Sequence, residues 1–317
     1  MTRRRPLHLS PRVYRTSELR EHGVSAQRLR ATDIRRIARG YVIHPALQFD
    51  PFDYRQRCIA VAETLRQGHF ISHRSAAILW GVPAPVAPGG RVEVSSFSPL
   101  KAPQTRIISG HRVRTGSVEW AEIDGIVTPT PADIWCQLAA VVTLEQLVAA
   151  GDFLISGTPI VDASARSHAA QRRTPPLCTL DDIERARRRH QRTTGSPLRR
   201  RAVSLLRAPV DSPPESHLRL AILRAPLPEP IVSCPVATRE RVLFADLGYP
   251  ELRIAIEYEG KYHFSNATQV KFDLRRRRAM IDAGWTVLQA TDEDLADPTD
   301  FIAALARAIA VATAAQR

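Results

Sequence analysis

The stretch from Leu243 to His263, LFADLGYPELRIAIEYEGKYH, constrains the fold of this chain more than any other segment. It predicts a β-hairpin, with a first strand, a turn at residues 248–250 and a second strand over residues 253–258. Side chains two positions apart on a strand share a face, so Glu257 and Glu259 are expected to point the same way.

Three carboxylates are expected to converge on this hairpin, from Asp246, Glu257 and Glu259. Two acids side by side on one face of a strand repel each other unless positive charge lies between them. Hard divalent cations such as Mg²⁺ take oxygen ligands from one or two carboxylates together with water and phosphate. Such an ion can lower the pKa of a bound water and stabilise the leaving oxygen of a phosphodiester. The hairpin therefore predicts hydrolysis of a nucleic-acid backbone.

Further blocks flank the hairpin between Glu215 and Leu295. Glu215 lies in PPESHLRLAIL, and the segment FDLRRRRAMIDAGWTVLQATDEDL supplies an Asp and Arg helix, a Gly-Trp pair, a strand and the start of a helix. With Asp246, IEYEG and His263, these blocks resemble the PD-(D/E)XK nuclease superfamily, in the branch of the very-short-patch-repair endonucleases. The resemblance implies a restriction-endonuclease-like α/β core in which Glu215, Asp246 and Glu257 bind Mg²⁺ or Mn²⁺.

The chain departs from the pattern of that superfamily at two positions. Glu259 stands where the motif usually has lysine, and Ala245 replaces the proline expected before the aspartate. Either Glu259 or Lys261 would then orient the attacking water, and His263 completes the expected catalytic set. The same departures also fit a nuclease domain that has lost its activity.

Each of these residues also has an ordinary structural explanation. Glu215 follows two prolines in a predicted first helical turn, where an acid is favoured by the helix macrodipole. Asp246 is typical of a turn, and Glu257 and Glu259 are typical of the wet face of a hairpin. Only the occurrence of all four in family order favours the nuclease.

Charge supports a polyanionic partner. Lys and Arg number 45 against 32 Asp and Glu, which gives a net charge of +13 and a pI near 10.5. Arginine pairs bidentately with phosphate and stacks on bases. Arginine runs also occur on solvated helix faces, but one run lies beside the predicted site, and we expect it to contact DNA phosphate: Arg275, Arg276, Arg277 and Arg278.

The first 57 residues predict a DNA-binding module. Thr16 opens a short helix, residues 23–25 form a turn, residues 26–37 form a second helix and residues 39–43 begin the hairpin of a wing. This segment resembles the winged helix-turn-helix of AbiEi-like type IV antitoxins. The second helix of such modules enters the major groove, and the side chains expected to contact DNA are Arg28, Arg30, Arg35 and Arg36.

The remaining segments predict an α/β multi-domain chain. Residues 58–155 form an α+β middle domain that resembles AbiEi-like antitoxins, with a helix ending at Gly81, strands near residues 91–95 and 106–108, and helices capped at Thr130 and Thr143. Residues 156–210 form a linker with charged helices, and residues 211–317 form the nuclease domain. An amphipathic helix over residues 298–315 is expected to pack on its sheet.

The cysteines and the hydropathy pattern indicate the compartment. The four cysteines have no metal-ligand or redox spacing and are expected to be thiols in a reducing cytoplasm: Cys58, Cys136, Cys178 and Cys234. The arginine-rich N-terminal segment has no following apolar stretch of the kind found in signal peptides or membrane spans. We therefore expect a cytoplasmic protein without a membrane partner.

These features favour a metal-dependent DNA endonuclease that acts in DNA repair or phage defence. The alternative is a non-enzymatic DNA-binding regulator, or an AbiEi-like antitoxin with a degenerate nuclease domain. Under either function DNA is the expected partner, together with a component of a toxin-antitoxin or defence operon.

Overall fold

The computed structural model describes residues 9–38, 40–159, 173–260 and 267–317. Over these ranges it is a mixed α/β structure with eleven α-helices and several small sheets, which confirms the predicted class at that level. The chain divides into two compact units, one within residues 1–142 and 182–196 and the other within residues 143–181 and 197–317. No helix in the described ranges is both long enough and apolar enough to cross a bilayer.

The N-terminal part of the first unit is a small antiparallel sheet in the order β1-β3-β2. Its apolar core is formed by Tyr14, Leu19, Leu29, Ile34 and Val42. The elements are β1 (Val13–Arg15), α1 (Thr16–Glu21), a 3₁₀ turn (Arg28–Arg30), β2 (Arg35–Ala38) and β3 (Tyr41–Ile43).

The predicted second helix over residues 26–37 is wrong. The chain forms only the 3₁₀ turn there and then enters β2, which pairs with β3. Leu29 and Ile34 are five positions apart, which would place them on different faces of an α-helix. Because both are buried in one core, the extended path is favoured over the helical propensity of the surrounding arginines.

The rest of the first unit contains the sheet β4-β5-β6, with β4 antiparallel and β6 parallel to β5, and the hairpin β7-β8. The predicted helix before Gly81 and the predicted strand at residues 91–95 are confirmed, whereas the next strand begins at Ile108. The elements are α2 (Tyr54–Ala62), β4 (His69–Ile71), α3 (His73–Leu79), β5 (Val92–Phe97), β6 (Ile108–Val113), β7 (Trp120–Ile123), β8 (Ile126–Pro129) and α4 (Pro131–Leu138).

Three helices follow, and the two predicted caps are confirmed. Thr130 accepts the Asp133 N–H at the start of α4, and Thr143 forms a capping box with Gln146. The expected linker falls partly outside the described residues, and its described ends carry one isolated bridge between Pro159 and Arg173. The helices are α5 (Leu144–Ser156), α6 (Leu180–Arg189) and α7 (Ser196–Val203).

The second unit is built on a four-stranded mixed sheet in the order β12-β11-β10-β9. β11 and β12 are parallel, and the other neighbours are antiparallel. The elements are α8 (Pro213–Arg224), β9 (Ile231–Ala237), β10 (Val242–Tyr249), β11 (Ile254–Glu259), α9 (Ala267–Asp282), β12 (Thr286–Thr291), α10 (Asp292–Ala296) and α11 (Thr299–Ala315).

Helices cover both faces of this sheet. On one face, α8 and α11 bury Leu218 and Leu305 against Ile256 and its neighbours. On the other face, α9 buries Met280 against Ala245 and its neighbours. A strand covered on both sides has no wet face, so its polar residues need specific partners.

The predicted hairpin is correct, but its turn is displaced. β10 continues through Gly248 and Tyr249, which pair with Ala255 and Ile254 on β11. The turn is a 3₁₀ segment over Pro250–Leu252, and it is closed by Arg253 with a left-handed φ of 51°. Buried Tyr249 stabilises the strand at the expected turn because its ring packs in the core.

Candidate active site

The candidate site lies where β10 and β11 separate. The last residues that pair are Leu247 on β10 and Ile256 on β11. The next residues beyond this pair are Asp246 on β10 and Glu257 on β11. Ala245 packs on the α9 side of the sheet, whereas Leu247 packs on the α8 side. Residues two positions apart share a face in a regular strand, so β10 is irregular between these two residues. Both acids therefore lie at a break in the sheet.

Asp246 accepts a backbone hydrogen bond from β11 near the end of that strand. Its Oδ2 accepts the backbone N–H of Tyr258 at 2.7 Å. The carboxylate thus takes the place of a main-chain acceptor where the two strands diverge, which fixes its position beside Glu257. Asp246 lies inside β10, the first strand of the predicted hairpin, and the alternative explanation as a turn residue is wrong.

Glu215 reaches the site from the first turn of α8. Its carboxylate accepts the Asp211 N–H at 3.0 Å and the Ser212 hydroxyl at 2.8 Å. These bonds and the helix N-terminus favour the ionised form. Burial and the nearby charge of Asp246 outweigh them and raise the pKa of Glu215 to about 8. The two hydrogen bonds agree with the ordinary helix-start explanation, whereas the burial of Glu215 beside Asp246 goes beyond it.

Glu257 forms a bidentate ion pair with Arg276 of α9. Arg276 Nη1 donates to Oε2 at 2.6 Å and Nη2 donates to Oε1 at 3.0 Å. Arg276 Nη2 also donates to the Phe244 carbonyl. Burial, reinforced by the charge of Asp246, raises the pKa of Glu257 to about 8 even though Arg276 acts in the opposite direction. Desolvation and the neighbouring carboxylate together therefore outweigh the stabilisation that one guanidinium gives to ionised Glu257.

Asp246 interacts electrostatically with both Glu215 and Glu257. It raises the pKa of Glu215 on one side and of Glu257 on the other. The structure thus brings together the three residues that sequence analysis assigned as metal ligands. We name Glu215, Asp246 and Glu257 the acidic triad.

The acidic triad fits a divalent cation by its chemistry. Its oxygens are the ligands that Mg²⁺ and Mn²⁺ prefer, and a bound cation would stabilise the ionised carboxylates that burial and mutual repulsion disfavour. In the described ranges, no group of three or more His, Cys, Asp or Glu side chains is arranged to hold a metal ion as it stands. Arg276 donates a hydrogen bond to each oxygen of Glu257, so a metal ion would compete with this guanidinium for the carboxylate.

Glu259 lies apart from the ion pair, at the end of β11. It is half-buried, and its carboxylate accepts a hydrogen bond from the Gln289 side chain on the neighbouring strand β12. This bond orients Glu259 along the same side of the sheet as Glu257. The two further predicted catalytic residues, Lys261 and His263, lie outside the described residues.

The arginine run of α9 has two environments. Arg275 and Arg278 are exposed, whereas Arg276 and Arg277 are partly buried. Sequence analysis expected all four to contact phosphate and did not find the pairing of Arg276 with Glu257. The two residues are 19 positions apart, so only the packing of α9 against the sheet brings them together.

The N-terminal arginines lie on the 3₁₀ turn and on β2 instead of a long helix. Arg28 pairs bidentately with Asp33 at 2.8 and 2.6 Å. Arg35 and Arg36 are exposed and donate to the carbonyls of Leu47 and Leu29, and Arg30 is exposed. Arg28 is therefore the least available of the four for a phosphate.

The first unit contains a polar centre that sequence analysis missed. The His73 ring stacks on His111 with centroids 3.9 Å apart, and His111 lies 3.5 Å from Glu93. The backbone N–H of His73 donates to the Gln137 side-chain oxygen at 3.1 Å. These residues are distant in sequence, so no local pattern indicates that they meet.

Comparison with known proteins does not assign this chain to a family. No protein-family model matches the chain, and no curated protein matches its sequence.

Proposed function

We propose that this protein is a metal-dependent DNA endonuclease that hydrolyses phosphodiester bonds, with a PD-(D/E)XK-like catalytic unit within residues 211–317. The observation that carries the proposal is the convergence of the acidic triad from one helix and two strands. Burying three carboxylates together is costly unless a cation compensates them. A divalent ion bound by phosphate-cleaving enzymes fits that requirement.

The order of elements in the second unit agrees with the proposal. α8, then β9, β10 and β11, then α9 and β12 form a mixed sheet covered by helices on both faces. This agrees with the α/β core that the resemblance to restriction-endonuclease-like enzymes implies. Within it, Asp246 and Glu257 lie where neighbouring strands separate.

Each residue of the site has a distinct role in the proposed reaction. Asp246 and Glu257 hold Mg²⁺ or Mn²⁺, and Glu215 completes the ligand set from α8. The bound ion supplies Lewis acidity toward the phosphate and lowers the pKa of an attacking water. Glu259, held by Gln289, orients that water by accepting a hydrogen bond from it, with Lys261 as the alternative donor of positive charge at the strand end.

The charge of the chain supports DNA as the substrate. The net charge is +13, and the exposed arginines Arg275 and Arg278 lie on the helix that also carries Arg276. Cations on one helix face attract a phosphate backbone without reading its sequence. Arg30 and its neighbours would provide a second contact surface in the first unit.

The second candidate function is a DNA-binding regulator whose nuclease unit is inactive. The observation that favours it is the ion pair between Glu257 and Arg276, in which a guanidinium already satisfies a proposed ligand. The presence of Glu259 at the usual lysine position favours it as well. In that case the C-terminal unit would support binding by the N-terminal module.

Cleavage of supercoiled and linear duplex DNA tests the proposal. Wild type, Asp246→Ala and Glu257→Ala are compared in Mg²⁺, Mn²⁺ and EDTA, with Glu145→Ala as a control because Glu145 lies in an ion pair outside the triad. We expect metal-dependent nicking that falls in both triad variants by more than the roughly 10–100-fold typical of an outer-shell partner. DNA binding without cleavage under every condition would support the regulator.

A further inference from the structure

We propose that Arg276 competes with the metal for Glu257. Its guanidinium keeps the acidic triad closed until a divalent ion displaces it. This inference rests on the proposed function and concerns how the same site is regulated. It follows from the geometry of the Glu257–Arg276 ion pair and not from the family pattern.

The ion pair occupies the atoms that a metal would need. Both carboxylate oxygens of Glu257 receive a guanidinium N–H, at 2.6 and 3.0 Å. A divalent ion of the size of Mg²⁺ binds a carboxylate oxygen at about 2.0–2.1 Å. The bidentate pair takes one lone pair of each oxygen, and its positive charge repels a cation on the others, so the guanidinium and a metal compete for Glu257.

The guanidinium is held in this position without being fully satisfied. The Arg276 and Glu257 side chains are only 17% and 15% exposed. Arg276 Nε is buried and has no hydrogen-bond partner among the residues that the structure describes. A buried donor without a partner costs free energy, so the closed arrangement is a compromise that another arrangement can replace.

The surrounding charges favour exchange for a divalent ion. The carboxylates of Asp246 and Asp273 both act on Glu257 in the direction that disfavours its ionised form. A guanidinium supplies one positive charge, whereas Mg²⁺ or Mn²⁺ supplies two to the same oxygens. The metal therefore offsets more of the repulsion within the triad.

Displacement also changes what Arg276 offers to DNA. Once it leaves Glu257, its guanidinium lies on the helix that already exposes Arg275 and Arg278. A planar guanidinium without a carboxylate partner binds phosphate bidentately. Metal binding and DNA binding are then coupled, and each raises the affinity for the other.

The first test measures Mn²⁺ affinity of the full-length protein without DNA. Mn²⁺ titrations monitored by electron paramagnetic resonance compare wild type, Arg276→Ala and Arg275→Ala. Arg275→Ala is the matched control because it removes the same charge from an exposed neighbouring position. We expect Arg276→Ala to bind Mn²⁺ about tenfold more tightly than wild type, which corresponds to about 1.4 kcal/mol, and Arg275→Ala to bind with nearly unchanged affinity.

A thermal shift experiment supplies the second readout. Without metal, Arg276→Ala should melt below wild type, because it leaves a buried carboxylate without its partner. Saturating Mn²⁺ should then raise its melting temperature by more than it raises that of wild type.

Three results would overturn the inference. If wild type binds Mn²⁺ and Arg276→Ala binds it equally or more weakly, Arg276 supports the site and does not compete for it. If Arg275→Ala tightens binding as much as Arg276→Ala, only the general field changes. If no variant binds Mn²⁺, the proposed metal-dependent function fails together with the inference.

Discussion

Asp152 on α5 and Arg219 on α8 form an ion pair at 3.2 Å, and neither side chain has exposed surface. Asp152 also accepts the Ser216 hydroxyl and the Arg207 N–H, each at 2.7 Å. Arg219 further donates to Glu229 at 2.9 Å. This network joins α5 to α8, the helix that carries Glu215. It therefore stabilises the position of that helix at the candidate site.

Replacing Asp152 with alanine should destabilise the second unit strongly. The change leaves Arg219 buried with less negative charge around it, which costs about 3–5 kcal/mol for a broken buried pair. Chemical denaturation gives the free energy of unfolding.

Glu145→Ala provides the control for Asp152→Ala. It breaks an ion pair with Arg224 between the same two helices, in which the Arg224 side chain is 62% exposed. Its cost should stay within about 0–1 kcal/mol. Equal losses in the two variants would contradict the role of the buried network.

Local signals in the sequence predicted local structure well. The caps at Thr130 and Thr143 depend on residues three positions apart, and both are present. The hairpin was predicted because Ile254 and Ile256 alternate with other residues along β11. The helix over residues 26–37 was wrong because its partners, Tyr14 and Val42, lie elsewhere in the chain.

Long-range relationships in the site were not predictable in the same way. The acidic residues were singled out because their order resembles that of the PD-(D/E)XK nucleases, and their role as metal ligands stays a prediction. The pairing of Glu257 with Arg276 and the bond from Tyr258 to Asp246 depend on how α9 and β10 pack on β11. The network of Asp152 joins residues 64 and 67 positions apart, which no local pattern encodes.

Without metal, the stability of the second unit should fall as the pH rises from about 4.5 to about 8. Burial and the charge of Asp246 raise the pKa of Glu215 from an ordinary value of 4.5 to about 8. In that window the folded state binds more protons than the unfolded state, so unfolding becomes easier with increasing pH. The contribution is complete below about 4.5 and is lost as the pH passes 8.

Glu215→Gln tests this linkage because glutamine does not titrate, keeps one oxygen for the Asp211 N–H and offers an N–H that the Ser212 hydroxyl can accept. Melting temperatures measured between pH 5 and 8.5 in EDTA should decline less steeply for the variant than for wild type. Identical slopes in the two proteins would show that Glu215 does not titrate in this range.

The first unit should show the opposite dependence because of His73. Burial and the adjacent His111 lower the pKa of His73 to about 3 from an ordinary value of 6.5. Between these values the unfolded state binds more protons, so stability is complete above about 6.5 and is lost as the pH falls toward 3. Acid unfolding can be followed by tryptophan fluorescence, since Trp80, Trp120 and Trp135 lie in this unit.

His73→Asn removes the titration and suits the left-handed backbone at this position, where φ is 51°. The variant should lose less stability than wild type between pH 6.5 and 4.5. The control is His22→Asn at an exposed position. An unchanged acid transition in His73→Asn would place the sensitivity elsewhere.

DNA binding by the first unit should depend more on Arg30 than on Arg28. Arg28 is already paired bidentately with Asp33, and a phosphate would have to compete with that carboxylate. Arg30 is exposed on the same 3₁₀ turn. Fluorescence anisotropy with a duplex at several salt concentrations should show that Arg30→Ala weakens binding and reduces the salt slope by about one. Arg28→Ala should change the slope by less, and a larger effect of Arg28→Ala would mean that DNA draws Arg28 away from Asp33.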